Sequence, residues 1–416
     1  MLPPVLEIFV VWHPDDGRGQ GLAETILGHF HGTPFTGLIG GAIEVFVRNV
    51  GWASSGDAPR PIPFTDGDLP GGLQQSEFIV VVPIMGTEMA NAVQNNESAW
   101  SDYVEAIVAA HANSPDKIAV FPYQLDAGVI DGTRLGALLG KFQRVAASRL
   151  EEDGESERSL ICRDLTQGIA QHLAAKKDDR LTIFVSHTKR AHPGDEEDTE
   201  GIIELVRHVI ARTRLRDFFD AHDLQPGSDW DDALRRNAAQ SALLAIRTDL
   251  YPSREWCQRE ILIAKQSGMP VIIMDAPGMG EERGSFLMDH VPRIPVSKVN
   301  EHWSKQDVYR ALNLLVSECL KRVLWLHQER LAKAGQAINV SWWAPHAPEP
   351  VTVLNWLVAY RATKAWPVEG QDLVVLHPDP PLGPDEKLVL DQILEVAGAG
   401  GKFDIMTPRL LAARGG

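Results

Sequence analysis

The chain has 416 residues, of which 44% are hydrophobic and 23% charged, and its formal net charge is −16. Domains commonly take about 100–200 residues each, so this length implies two to four separate cores. The acidic balance argues against sequence-independent nucleic-acid binding, which needs basic surface to displace counterions, and no apolar run approaches the ~20 residues of a membrane span.

Three cysteines, Cys162, Cys257 and Cys319, form neither a disulfide framework nor a Cys-x-x-Cys metal site. The opening Leu2-Pro-Pro-Val-Leu-Glu-Ile-Phe9 has no basic lead-in of the secretory kind. A reduced, cytoplasmic setting is expected, with no contact to membrane or nucleic acid.

Residues 1–150 open with the apolar run Val5–Trp12, closed by the turn former His13-Pro-Asp-Asp-Gly17. A helical pattern from Gly21 to Phe30 follows, then strand-like runs at Ala42–Arg48 and Glu77–Pro83, a helix over Trp100–Ala112 and a strand at Lys117–Phe121. Strands alternating with helices predict a parallel sheet covered on both faces. Residues 151–179 read as an acidic exposed connection, Glu151–Arg158, and a linking helix, Ile161–Ala175.

Residues 180–300 hold the densest pattern. The apolar run Leu181-Thr-Ile-Phe-Val-Ser-His187 leads to Thr188-Lys-Arg190, and Phe218-Phe-Asp220 runs into a loop with Pro226, Gly227 and Trp230. Tyr251-Pro-Ser-Arg-Glu-Trp-Cys-Gln-Arg-Glu260 precedes the apolar run Val271–Met274. In this order they match strand-Phe-x-Ser-His, Phe-x-Asp…Gly…Trp and Trp-Cys-x-x-Glu, and the segment resembles a bacterial TIR domain. The opening residues carry a looser echo: Phe9-Val-Val-Trp-His13 against Phe184-Val-Ser-His187, and Trp100 to Glu105 against Trp256 to Glu260. The first spacing is five and the second four, and only four returns to the same helix face. Residues 1–150 are therefore read as a degenerate TIR-like unit, although a generic flavodoxin-like domain gives the same pattern.

Downstream, Pro277–Gly284 reads as a loop. Residues 301–340 hold a long amphipathic helix over Asp307–Ala334, with a stripe of Leu312, Leu315, Val316, Cys319, Leu320, Val323 and Leu326. Cys319 on that stripe is a small core residue. Residues 341–416 form a small α/β region: the Pro/Trp-rich Ser341–Pro350 as a separator, a strand at Asp372–Leu376, a Pro/Gly loop and a helix from Glu386 to Val396. It reads either as a nucleotide sensor or as a structural half-domain packed on the rest.

The resemblance implies a flavodoxin-like parallel sheet and cleavage of the nicotinamide–ribose bond of NAD+, with cyclisation of ADP-ribose as a further outcome, in bacterial or antiphage immunity. It places the catalytic carboxylate at Glu260. One carboxylate suffices, because nicotinamide departs neutral from a cationic nitrogen and needs no general acid, unlike the oxygen of ordinary glycosides. The site must hold the ribose and meet positive charge growing at its anomeric carbon.

Ser186, His187, Lys189, Asp220, Gly227, Trp230, Trp256 and Cys257 are the candidate substrate-binding residues. Several have plainer readings: Asp220 as a turn cap, Trp230 as a helix anchor, Lys189 with Arg190 as a solvated pair. No metal or cofactor is expected, and NAD+ enters as substrate. The loop around Gly227 is the expected surface for self-association, with a nucleotide signal or a partner protein as trigger. Two other functions remain beside it: a non-enzymatic TIR scaffold, a class that generally lacks the glutamate found here as Glu260, and a sensor that binds a nucleotide and only reports it.

Overall fold

A computed structural model describes residues 4–35, 42–51, 57–65, 67, 69, 74–95, 98–145, 155–174, 181–191, 193–194, 196–219, 241–281, 283–334, 339–363, 373–398 and 403–414. The chain divides into two units, Met1–Asp179 and Arg180–Gly416.

In the first unit, β1 (Leu6–Trp12), β2 (Ile43–Arg48), β3 (Phe78–Met85) and β4 (Ile118–Val120) form a sheet in the order β2-β1-β3-β4. The two-residue β5 (Tyr123–Gln124) continues against the far end of β3. Every pairing is parallel. The central strands β1 and β3 are almost continuously apolar and buried, as strands covered on both faces must be. Phe9 and Val11 of β1 share one cluster with Trp100, Val104 and Ile107 of helix Ala99–Asn113. The expected elements are all present, within a residue or two at their ends.

Residues 155–158, expected within an exposed connection, instead enter a capped helix. Ser156 caps the helix Glu157–Leu173 by accepting from Ser159 N–H, and Arg163 donates to both carboxylate oxygens of Glu155. That helix meets helix Gly19–Phe30 within the first unit, where the His29 ring lies 2.8 Å from Thr166 Oγ1.

The second unit repeats the plan, again with five strands, but here the fifth pairs with the fourth rather than the third. Strands β6 (Thr182–His187), β7 (Arg216–Phe219), β8 (Ser241–Arg247), β9 (Val271–Asp275) and β10 (Arg293–Pro295) pair in parallel in the order β10-β9-β8-β6-β7. Counted along the chain this is 2-1-3-4-5, the flavodoxin-like order. Side chains alternate across it. Ile183, Val185, Leu244, Ile246, Ile272 and Met274 pack with helices Glu196–Ala211 and Lys305–Ala334, while Phe184, Leu243, Ala245 and Ile273 pack with helix Glu255–Gln266.

The long helix is present, but its buried stripe differs from the expected one. Leu312, Leu315, Val316 and Cys319 are buried in the core of the sheet and Leu320 is buried beside them, whereas Leu326 is exposed and Leu324, Trp325 and Gln328 are buried. Steps of three residues, from 320 to 323 to 326, rotate off a helix that turns once in 3.6; steps of four stay on the face. There the helix meets a different partner, with the Trp325 and Trp343 rings 5.3 Å apart.

The Pro/Trp-rich stretch is not a separator. After the short antiparallel pair β11 (Lys298–Val299) and β12 (His302–Trp303), Trp342–Trp343 is a strand, β13, paired in parallel with β14 (Leu373–Leu376), which pairs in parallel with β15 (Phe403–Met406). Helix Pro350–Thr363 connects β13 to β14, and helix Pro384–Val396 connects β14 to β15. Pro350 occupies the first helical position, where a missing N–H costs nothing.

Candidate functional site

In a 2-1-3-4-5 sheet the chain leaves the first and third strands in opposite directions, which opens a crevice beyond their C-terminal ends. Here those neighbours are β6 and β8. Ser186 and His187 end β6, and Tyr251 lies in the turn just past β8.

Helix Glu255–Gln266 begins directly after that turn. Glu255 in its first turn and Lys265 in its last complement the helix dipole, and Gly268, at φ +65°, ends it in the left-handed conformation that glycine adopts without strain. Cys257, Ile261 and Ala264 form its inward stripe. Glu260 flanks that stripe, one turn after Trp256.

The helix brings Glu260 to the end of β6. The Ser186 hydroxyl donates to Glu260 Oε2. The Tyr251 hydroxyl lies 2.5 Å from Ser186 Oγ. Tyr251 is fully buried, and burial, followed by the nearby Cys257 and Glu260, pushes its phenol well above the ordinary value. It therefore stays protonated. The Cys257 thiol is also buried and faces the His187 carbonyl at 3.8 Å, so it fastens the helix to the strand.

Around this core, the sequence-predicted residues divide. His187 is half-buried with Nδ1 3.3 Å from the Thr188 carbonyl. Lys189 is exposed, on a turn that Thr188 braces by donating to Arg190 O at 2.8 Å and accepting from Arg190 N–H at 3.1 Å. Trp256 is 61% exposed, with the Arg259 guanidinium 5.4 Å from its ring centroid, so it is neither core nor enclosed with Glu260. Asp220, Gly227 and Trp230 lie outside the described residues.

Three contributors went unnoticed in the sequence. Tyr251 stands inside the recognised segment, five residues before Trp256; an aromatic directly before Pro252 in a helix-entry turn is the signal that could have drawn attention. Asp249 accepts from the backbone N–H groups of Gly278, Met279 and Gly280 at 2.9, 2.7 and 3.1 Å, and pins the loop after β9 beside the end of β8. Arg247 adds a two-pronged ion pair to Glu281 of the same loop. These contacts span about thirty residues of sequence and leave no local trace. Among the described residues no group of His, Cys, Asp or Glu is placed to hold a metal ion, and no helix is long and apolar enough to cross a membrane.

The first unit offers an internal comparison. Phe9 and Phe184 lie on the faces that pack helix Ala99–Asn113 and helix Glu255–Gln266, two residues before Val11 and Ser186 respectively. Four residues after Trp100 comes Val104, and four after Trp256 comes Glu260. By burial, however, Trp100, Val104 and Ile107 form the inward stripe that Cys257, Ile261 and Ala264 form in the second unit, so Val104 is the counterpart of Ile261 and not of Glu260. Glu105 takes Arg134, and Trp100 is 2% exposed against the His13 ring.

No protein-family model matches the sequence, and no curated protein matches it. Among solved structures, a chain from the activated Roq1 resistosome directly recognizing the pathogen effector XopQ (TIR domains) aligns at 17% identity with a TM-score of 0.18. The match covers 23% of this chain and 58% of that one.

Proposed function

We propose that the second unit is a TIR-type NAD+ glycohydrolase in which Glu260 stabilises the cationic ribose as nicotinamide leaves. The observation that carries this reading is the hydrogen bond from Ser186 to Glu260, which holds a single carboxylate at the switch-point crevice. Cleavage breaks the C–N bond with both electrons leaving on nicotinamide; water then adds to the ribosyl cation and loses a proton, or an internal nitrogen closes the ring. A negative charge fixed before reaction meets the developing cation without the cost of reorienting solvent. No acid is required for the leaving group.

Activity is further proposed to depend on self-association in an immune response, through the loop around Gly227. The exposed Trp256, Met279 and Phe286 of the same unit supply large apolar side chains of the kind that anchor interfaces. The test is NAD+ turnover with chromatography of products across a protein concentration series, paired with light scattering, for wild type and Glu260→Gln. The amide preserves shape and removes charge, and turnover should fall about 100-fold or more. Turnover within about tenfold of wild type, equivalent to only about 1.4 kcal/mol of barrier, would remove Glu260 from the mechanism. Specific activity that stays flat with concentration would remove the assembly requirement.

A further inference from the structure

We propose that Tyr251 is a positioning residue for Glu260, acting through Ser186 as the middle member of a one-way hydrogen-bond chain. This rests on the reading of Glu260 as the reacting carboxylate. The direction of the chain follows from counting protons. An ionised carboxylate only accepts, so the one hydroxyl proton of Ser186 goes to Glu260 Oε2. The 2.5 Å contact between Ser186 Oγ and Tyr251 must then be the phenol donating to the serine.

Each member has a reason to stay in place. Tyr251 is 0% exposed and its ring belongs to the cluster of Phe184, Ala245, Ile261 and Met288, while its backbone N–H is held by the Thr248 carbonyl at 2.9 Å. A buried phenol kept neutral has its proton to give and cannot turn away. Ser186, by contrast, carries a free rotor with three staggered settings, and only the donor behind it selects the one that faces Glu260. The phenol also polarises the serine hydroxyl, and hydrogen bonds in series strengthen one another.

The experiment compares Tyr251→Phe, Ser186→Ala and the double variant, in the full chain, with NAD+ as probe. If tyrosine acts through serine, Tyr251→Phe should lower kcat about three- to tenfold with KM for NAD+ unchanged within about twofold, since it removes orientation, not substrate contact. The acid limb of the kcat profile should move to higher pH, because a weakened donor stabilises the charged carboxylate less. The double variant should be no slower than Ser186→Ala alone.

A second readout needs no turnover: the infrared carboxylate stretch assigned to Glu260 by its loss in Glu260→Gln. That band should shift in Tyr251→Phe although the hydroxyl removed never touches the carboxylate. A band unmoved in Tyr251→Phe, or kinetic losses that add in the double variant, would overturn the chain. A wild type that leaves NAD+ intact would overturn the glycohydrolase reading, while the infrared arm would still decide the chain.

Discussion

Lys265 and Glu349 tie the last turn of the Glu260 helix to the entry of helix Pro350–Thr363, with 4% and 5% of their side chains exposed and Nζ 3.1 Å from Oε1. Lys265 also donates to the Asp289 carbonyl at 2.8 Å. Glu349 Oε1 makes no well-aligned hydrogen bond, so the pair is held chiefly by charge. Removing one partner of a buried pair strands the other, at about 3–5 kcal/mol. Glu349→Gln keeps the shape and an acceptor, so about 3 kcal/mol is expected, which for a unit of this size lowers Tm by roughly 6–12 °C. Burial holds the Lys265 ammonium below its ordinary value, with Glu349 offsetting part of that. A lysine lowered on folding binds its proton more tightly when unfolded, so stability rises with pH between its folded and unfolded values. Losing Glu349 lowers the folded value further, and the deficit of Glu349→Gln should therefore shrink from about pH 7 to about pH 9.5. Calorimetry at both values, with Lys265→Met/Glu349→Leu as the apolar control expected to melt near wild type, tests this. A Glu349→Gln variant that melts with wild type at neutral pH, or whose deficit grows with pH, would refute the argument.

Other consequences follow from named contacts. Glu105→Gln in the first unit should leave NAD+ turnover unchanged, because Glu105 pairs with Arg134 on its own unit; steady-state kinetics on the folded variant decides it. A methyl at Gly268 would force a residue into φ +65° and approach Arg322 Nη2 at 3.2 Å and Pro345 Cγ at 3.3 Å, so Gly268→Ala should cost about 1–2 kcal/mol by urea titration. Asp249→Ala deprives three backbone donors of their acceptor and should speed proteolysis within residues 277–284, read by mass spectrometry of limited digests, while the Tm changes less than in Glu349→Gln.

What could be read from the sequence was set by how local its cause is. The parallel layering followed from alternating apolar runs, and the Glu260 helix from a spacing of four after Trp256. The stripe on the long helix was right while one sheet covered it and failed at Leu326, where the partner changes to the β13 sheet and the face rotates to Leu324 and Trp325. Strand β13 was hidden by prolines that belong to the neighbouring turn and to the first position of a helix, where they do no harm. Trp256 looked like core or pocket because tryptophan usually is; it lies off the inward stripe of Cys257, Ile261 and Ala264 and is left in solvent.

The two sheets share the order of their first four strands, but their crevices are lined differently: past β1 and β3 the first has Asp16 accepting from the N–H groups of Glu88 and Met89, and the second joins Ser186 to Glu260. A buried serine or glutamate alone would cost more than it contributes, since an unsatisfied polar group in a core is worth about 1–3 kcal/mol of destabilisation. The first unit has Val11 at the strand position that Ser186 occupies in the second. The second retains Ser186 in an otherwise apolar strand because each polar atom has a partner: Glu260 for its proton, Tyr251 for its oxygen. The three residues are therefore worth keeping only together. A serine introduced at Val11 without a carboxylate to take its proton would be buried and unpaired, so fold likeness between the units gives no ground for transferring the site from one to the other.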